Sequence, residues 1–446
     1  MLNLVSLILK YGEDVCIREV HRKPSFAPFG GVRTRKIKPI AVDFDRKLRP
    51  WRRHPMPFRI ALVLAMVLSV AGASIAQEAQ GRRSADMKKI ADVVIYRDDM
   101  FYSAFPSLVA RKDGEILCAF RRAPDRRALW EGGLSHTDAN SYLVLVRSKD
   151  GGKTWTKDPE LIFAHPLGGS QDPCMVQMTD GTILCTSYGW ALLPPQTVEK
   201  LKDSLSHAPY AFLGGYILRS NDGGKTWDGP IIPPHVEADG TVDALGKPVP
   251  AYNRGAMMQG KDGRLYWAVC CNKGPKERSS SVHLLTSSDK GGTWQYAGLI
   301  AEDGKASFNE TSLVETNRGD IVAFMRTANY DDHLAVGRST DGGKSFKWED
   351  GKIIGHPYHA LKLKDGRVFL VYGYRHVPYG IRARLLSPDC TDIAEAPELV
   401  IRDDGGNGDL GYPWAALLPD GNILVAYYFN QKDGTRFIGG SIIEVE

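Results

Sequence analysis

The chain reads as an all-β protein, a six-bladed β-propeller, and two interleaved repeats carry that reading. The first is Ser-x-Asp-x-Gly-x-x-aromatic. It stands at Ser148, Asp150, Gly152 and Trp155; at Ser220, Asp222, Gly224 and Trp227; at Ser287, Asp289, Gly291 and Trp294; and at Ser339, Asp341, Gly343 and Phe346. A degenerate copy begins at Ser387-Pro388-Asp389. Gly and Asp there suit a hairpin that needs positive φ, with the carboxylate bonding local N–H groups and the aromatic tucked beneath. The second repeat is an apolar alternation, a turn with glycine and another strand, in six copies from FPSLVARKDGEILCAF to YPWAALLPDGNILVAYY. Its turn glycines, Gly114, Gly181, Gly263, Gly319, Gly366 and Gly421, recur at intervals of 47 to 82 residues. One turn signature per roughly 40–50 residues marks propeller blades, and the longer intervals mark loop insertions.

Taken in order, residues 1–55 stand apart. They hold 13 Lys and Arg against 5 Asp and Glu, so this leader carries +8 while residues 56–446 come to about −3. The basic balance belongs to the leader, and no nucleic-acid surface is expected on the folded part. Met56 then opens a basic end, an apolar run over 60–70 and small residues through Ala76, the pattern of a secretory signal peptide over 56–76. Eleven apolar residues are too few for a stable membrane span. On this reading Met56 is the initiator and residues 1–55 are an over-extended reading frame. The mature protein then begins near Gln77, in the periplasm or outside the cell. An internal signal-anchor behind a basic cytoplasmic tail is the other reading.

Residues 77–94 form a polar linker, and 95–446 the propeller. The strand-like ADVVIYRDD is expected to complete the last blade beside FIGGSIIEVE at the C-terminus, which removes exposed sheet edges. Residues 190–215 carry Pro194-Pro195 and a helix-like TVEKLKDSL, either a rim or lid segment or a plain surface insertion. Seven cysteines show no zinc spacing and read as buried thiols, although an exported location permits a bridge. Nothing in the chain calls for a metal, a nucleotide or any other cofactor.

The first strand of each propeller blade lines the central channel. The residues that open the inner motifs are therefore expected to converge at one end of the axis: Phe105, Asp172, Arg254, Glu310, His356 and Tyr412. Burying Asp, Arg and Glu together is costly unless they pair or bind something. A second ring, seven residues after each turn glycine, gives Arg121, Tyr188, Cys270, Arg326 and Tyr428, with Arg375 two positions further on in its blade. Arginines at strand ends around one axis suit bidentate capture of a carboxylate, while any one alone is equally an exposed strand end.

These motifs resemble the sialidase (neuraminidase) superfamily, whose propellers carry the same aromatic-ended turn, the Asp-box or BNR repeat. The resemblance covers about residues 95–446 and is specific for the fold. It implies that the boxes are structural turns away from the central site. Exo-sialidases place a nucleophilic Tyr nine residues before the turn glycine of the last blade, as Tyr412 stands before Gly421. Their Glu, which takes the Tyr proton, lies nine before its own turn glycine, as Glu310 lies before Gly319, and a clamp arginine follows sixteen after it, as Arg326 does. The acid/base Asp lies shortly upstream of the first box, where Asp138 fits and His136 and Asp125 are nearby rivals. The remaining clamp arginine is Arg375 or Arg382. Two places depart from the pattern. The family's central clamp Arg falls on Ala104, and the Glu that holds it falls on Tyr428, so the arginine triad is modified.

The resemblance implies a secreted retaining exo-glycosidase, an exo-alpha-sialidase-like glycoside hydrolase. Its partner is a glycan or glycoconjugate that loses a terminal sialic acid or a related acidic sugar. Tyr412 attacks the anomeric carbon, Glu310 draws the phenol's proton, and Asp138, kept protonated in a dry pocket, donates to the leaving oxygen. Arg326, Arg375, Arg254, Asp172 and His356 hold the substrate. A Tyr nucleophile suits an anomeric carbon that bears a carboxylate, because an anionic side chain is repelled there. A monomer with no nucleic-acid partner and no stable membrane span is expected. The competing reading is a non-catalytic propeller that binds glycans or proteins. The joint spacing of Glu310, Arg326 and Tyr412 argues against it, since a scaffold needs none of the three.

Overall fold

The computed structural model describes residues 86–446 apart from 128, 130–135, 206–207, 275–276 and 278. The basic leader, the export signal and the first half of the stretch read as linker, residues 77–85, lie outside the described residues, while its second half is no linker but holds the start of the strand Met87–Tyr96. Six antiparallel sheets follow one another along the chain. The first blade comprises Phe101–Ala110, Ile116–Pro124, Tyr142–Ser148 and Glu160–Phe163. In the second, the innermost strand is broken into Gly169–Ser170 and Cys174–Gln177, followed by Ile183–Leu192, Tyr210–Ser220 and Asp228–Ile231. The third runs from Met258–Gln259 to Gln295–Ala301, the fourth from Ser307–Glu315 to Lys347–Ile354 and the fifth from Tyr358–Lys362 to Glu398–Arg402. Three strands of the sixth, Gly411–Leu417, Ile423–Phe429 and Phe437–Val445, come from the C-terminal end. Its outermost strand is Met87–Tyr96 from the other end of the chain, paired from Met87 opposite Val445 to Tyr96 opposite Ile438. The expected pairing of the chain ends is therefore present, and the ring is closed.

Each sheet is pressed on both faces by its neighbours, which explains why the middle strands are unbroken apolar runs rather than alternations. ILVAYYF in Ile423–Phe429 is buried at every position, and so is the IVAFM that opens Ile321–Ala328. Among the described residues, most buried apolar side chains fall into six clusters between adjacent blades, the one between the first and sixth also taking in Cys174 of the second. Between the first and sixth blades, for instance, Phe120 and Val146 meet Leu424 and Ile442. Area removed from water is the main stabilising term here, at about 25 cal/mol per Å² of apolar surface.

The aspartate turns lock these interfaces. In all four full copies the Ser hydroxyl donates to the Asp carboxylate at 2.8–2.9 Å, and a glycine N–H donates back to the Ser oxygen at 2.8–3.0 Å. That glycine has φ between +77° and +90° and faces an apolar side chain of the preceding blade: Gly152 faces Leu424, Gly224 Leu117, Gly291 Leu184 and Gly343 Leu284. The degenerate copy differs, because Ser387 donates to Asp392 at 2.8 Å and Asp389 has no such role. The insertion forms the helix Pro195–Leu201, which has no buried residue. All six described cysteines are buried and free, and no described helix is long and apolar enough to cross a membrane.

A Cβ at Gly343 would stand 2.7 Å from the Leu284 side chain at φ +90°, whereas one at Gly114, φ +87°, meets nothing within 4 Å. Gly343→Ala is expected to lose about 2–3 kcal/mol in urea unfolding, and Gly114→Ala only the backbone cost of about 1 kcal/mol.

Candidate active site

Three inner strands slip out of register where they reach the axis. The shifts fall between Ala104 and Ser107, between Phe308 and Thr311, and between Gly411 and Trp414. Each slip spans one axis residue, Phe105, Glu310 or Tyr412, and such bulges re-aim a side chain out of the ladder. Phe105 and Tyr412 adopt φ of +59° and +50°, a left-handed conformation that costs a non-glycine residue about 1–3 kcal/mol. Their rings meet edge to face at 4.8 Å.

Glu310 is the centre of the site. Tyr412 OH donates to Glu310 Oε1 at 2.5 Å, and Arg326 Nη1 donates to Glu310 Oε2 at 2.6 Å and to Tyr412 OH at 3.1 Å. Burial opposes ionisation of Glu310, but the Arg326 charge and the bonds from Tyr412 and Arg326 outweigh it and hold the carboxyl below its usual value. Burial, and then the Glu310 charge, hold the Tyr412 phenol well above its ordinary value, with Arg326 and Arg375 pulling the other way.

The remaining sequence candidates separate into those at the site and those elsewhere. Arg375 belongs to it: its guanidinium lies 5.2 Å from the centre of the Tyr412 ring and donates to Leu410 O and Tyr428 OH, each at 2.9 Å. Arg382 does not, because it pairs with Glu398 and donates to the Arg402 carbonyl. Arg254, expected among the substrate-binding arginines, lines the cavity beside Glu310 and also reaches under the tyrosine. Its guanidinium lies beneath Tyr412, 4.6 Å from the ring centre, and its Nη2 donates to Pro106 O and Tyr412 O, so it supports the tyrosine from below. Asp172 is buried and accepts from Tyr188 OH at 3.1 Å, while its Oδ1 has no hydrogen-bond partner among the described residues. Burial raises its carboxyl, the Arg254 charge opposes that, and the Glu310 charge adds to it. His356 Nε2 lies 3.1 Å from Asp332, and burial followed by the Arg326 charge brings its imidazole down to about 4.

Asp138 requires a correction. A protonated acid in a dry pocket was expected, but Arg126 grips the carboxylate with bonds of 2.7 and 3.0 Å, and the Asn140 N–H adds a third at 2.8 Å. Burial pushes its carboxyl up, yet these bonds win and hold it below the usual value, so it is a carboxylate. Asp125 is turned toward Arg127.

Sequence reasoning missed Asp409. It accepts from His136 Nε2 at 2.8 Å, from Tyr428 OH and Arg436 Nε at 2.9 Å each, and from Tyr102 OH at 3.1 Å. Burial opposes this charge too, but the His136, Arg436 and Tyr428 contacts keep the carboxyl far below its usual value. The only signal was an acidic residue in the glycine-rich GGNGDLGY just ahead of Tyr412. A cavity of about 840 Å³ extends from Glu310 and Asn309 toward the second and third blades. Tyr188, Trp190, Phe212 and Tyr252 wall it, and Ser204 and Leu205 of the insertion close its rim.

A closed ring of six sheets with a buried phenol, carboxylate and guanidinium in mutual contact at its axis is a six-bladed β-propeller with a polar axial site. Residues 206–425 match the model of the BNR repeat-like domain. The crystal structure of a protein of unknown function from Dyadobacter fermentans DSM 18053 is 56% identical, covers 81% of this chain and 100% of its own, and superposes with a TM-score of 0.79. The chain belongs to one family with that protein, and its own BNR-repeat region folds as part of a six-bladed propeller. The Hadza microbial sialidase Hz136 shares this fold at 17% identity, over 76% of this chain and 65% of that one, with a TM-score of 0.53. Among curated proteins, the xyloglucanase Xgh74A of Acetivibrio thermocellus is 25% identical over 181 residues, 37% of this chain. The match spans only 20% of that relative's length.

Arg326→Met removes the countercharge of Glu310 and is expected to cost about 3 kcal/mol in urea unfolding at pH 7, the scale of a broken buried pair. In the wild type, the folded-state value of Glu310 lies below its unfolded one, about 4.3, so this stability is whole above that pH and lost as pH falls. The difference between wild type and variant should therefore hold from pH 7 down to about pH 4.3 and narrow below it.

Proposed function

We propose that this protein is an exported retaining exo-glycosidase that removes a terminal acidic sugar, sialic acid or a relative of it, from glycans through a tyrosine nucleophile. The observation that carries the reading is the three-way contact of Tyr412, Glu310 and Arg326. Packing alone gives no reason to desolvate these three groups together.

Because the phenol is held well above its ordinary value, no phenolate waits in the resting site. Attack and proton transfer therefore go together. As the Tyr412 oxygen bonds the anomeric carbon, its proton passes to Glu310 Oε1. The glycosidic bond breaks with its electron pair on the departing oxygen, which is protonated from the loop that carries His136 and Asp138. Arg326 Nη1 touches both the carboxylate and the phenol, so it stays close to the negative charge as that charge shifts between them. Water then displaces the tyrosine, which recovers its proton. Arg326 and Arg375 flank the nucleophile and balance a substrate carboxylate, while Asp172 and a neutral His356 are placed for sugar hydroxyls. The place of the family's central clamp arginine is held by the fully buried Ala104, so ordinary sialosides should be weak substrates.

The test is a panel of aryl α-glycosides, a sialoside among them, with wild type, Tyr412→Phe and Glu310→Gln. Each substitution is expected to lower turnover about a hundredfold or more, roughly 2.7 kcal/mol of barrier, with thermal unfolding preserved for Tyr412→Phe. Unchanged turnover in both variants would falsify the tyrosine mechanism. If the wild type cleaves nothing in the panel, the binding-propeller reading replaces this one. Export is checked separately: protein expressed from Met56 and recovered outside the cytoplasm should begin near Gln77 on N-terminal sequencing.

A further inference from the structure

The proposed reaction needs a proton donor for the departing oxygen, and Asp138 is held as a carboxylate by Arg126. Two residues earlier on the same loop, His136 is placed differently. Its Nε2 lies 2.8 Å from Asp409 Oδ1, which leaves Nδ1 for another partner. Its ring stands edge-on to Phe105 at 5.3 Å, and Phe105 in turn meets Tyr412 edge to face at 4.8 Å. The Gln171 side chain bonds the His136 carbonyl and ties the loop to the second blade. At 45% exposure the imidazole is open to an incoming ligand, unlike the buried Asp172.

We propose that His136, oriented by Asp409, is the acid/base residue of this site, and that Asp138 with Arg126 is a structural pair. This rests on the glycosidase reading above. Asp409 suits the part, because its donors keep it ionised, and a fixed carboxylate on Nε2 sets the orientation of the ring. The ionisable and charged groups around His136 are Asp409 and, through it, Arg436 and Tyr428 of the sixth blade. Tyr102 of the first blade also faces it, at 6.3 Å between ring centres, and Asp138 and Arg126 share its loop.

In the first step the glycosidic C–O bond breaks with its electron pair on the departing oxygen. That oxygen takes the His136 Nδ1 proton and leaves as a hydroxyl, while the Tyr412 oxygen bonds the anomeric carbon and gives its proton to Glu310. In the second, Nδ1 takes a proton from water, whose oxygen bonds the anomeric carbon. The tyrosyl bond breaks, and the phenolic oxygen recovers its proton from Glu310. Every proton is returned, and the net change is hydrolysis.

The experiment compares two glycosides of one sugar, one with an activated phenol and one with an alkyl leaving group, in wild type, His136→Gln, Asp138→Asn and Tyr412→Phe. Thermal unfolding confirms that each variant folds. For His136→Gln, kcat/KM should fall about a hundredfold or more on the alkyl glycoside and less than about tenfold on the activated one. Its pH profile should lose the basic limb. Added azide, a nucleophile that needs no base, should restore its turnover of the activated substrate. Asp138→Asn should keep the wild-type ratio between the two substrates. If His136→Gln slows both alike, or if Asp138→Asn takes the leaving-group-dependent loss, His136 is not the acid while the tyrosine mechanism stands. If the wild type cleaves neither glycoside, or Tyr412→Phe cleaves both at the wild-type rate, the glycosidase reading falls and this proposal with it.

Discussion

The pairing of Met87–Tyr96 with Phe437–Val445 is the contact on which the rest of the molecule depends. Six sheets in an open arc would leave unpaired strand edges and two apolar faces in water. Closing the arc removes both and fixes where the inner strands converge. Tyr412 and Glu310 are 102 residues apart in sequence and lie two blades apart, yet their oxygens stand 2.5 Å from each other. A contact that short tolerates little play, and close packing between blades supplies the stiffness.

Convergence brings charges together, and the site is organised by how they are satisfied. Against burial, Arg326 holds Glu310 ionised, and burial with the Glu310 charge holds the Tyr412 phenol neutral. Arg254 lies below the tyrosine with its donors on backbone carbonyls, so it adds positive charge under the ring without competing for Glu310. Asp172 sits in the same field, but burial outweighs Arg254, and its carboxyl moves toward the neutral form. Two carboxyls near one axis are thus driven in opposite directions by their surroundings, the situation in which one fold separates base from acid or donor roles. The left-handed Phe105 and Tyr412 show that the backbone bears a local cost to aim these side chains, and the packed strands on either side hold it there.

Much of the fold was legible because its physics is local and repeated. Each turn glycine has φ between +80° and +95°, as the repeated hairpin requires, and each aspartate turn closes with the same bonds. Glu310, Arg326 and Tyr412 were legible through their fixed distance from those glycines, since a strand of set length places a residue at a set depth. For Arg254 the spacing gave the depth, since it lines the cavity, but not that its long side chain also reaches under Tyr412. The protonated state expected of Asp138 failed because sequence gives no sign that Arg126, twelve residues back along a loop, folds over it. Asp409 was invisible because it belongs to no repeat. Its role comes from four donors that the chain brings together from residues 102, 136, 428 and 436.

Those four donors also bear on the departures at Ala104 and Tyr428. Ala104 is fully buried and faces Arg121 across the strand pair, so no room is left there for a long cation. The next residue, Phe105, takes the axis, with its ring 4.8 Å from Tyr412 and 5.2 Å from Tyr428. Tyr428 OH donates to Asp409 and accepts from Arg375, so a chain of bonds runs from Arg436 through Asp409 and Tyr428 to the arginine beside Tyr412. A Glu at 428 would set a second carboxylate against Asp409 and break that chain, so the pair Ala104→Arg with Tyr428→Glu cannot be read as a simple restoration. Asp409 already supplies the negative charge, one hydroxyl further from the axis. On the proposed chemistry the consequence falls on the substrate. Its carboxylate meets two arginines rather than three, and the face of the sugar nearest the first blade meets an aromatic ring. A sugar with an apolar face on that side gains from Phe105 what it lacks in charge, whereas one that depends on three arginines does not.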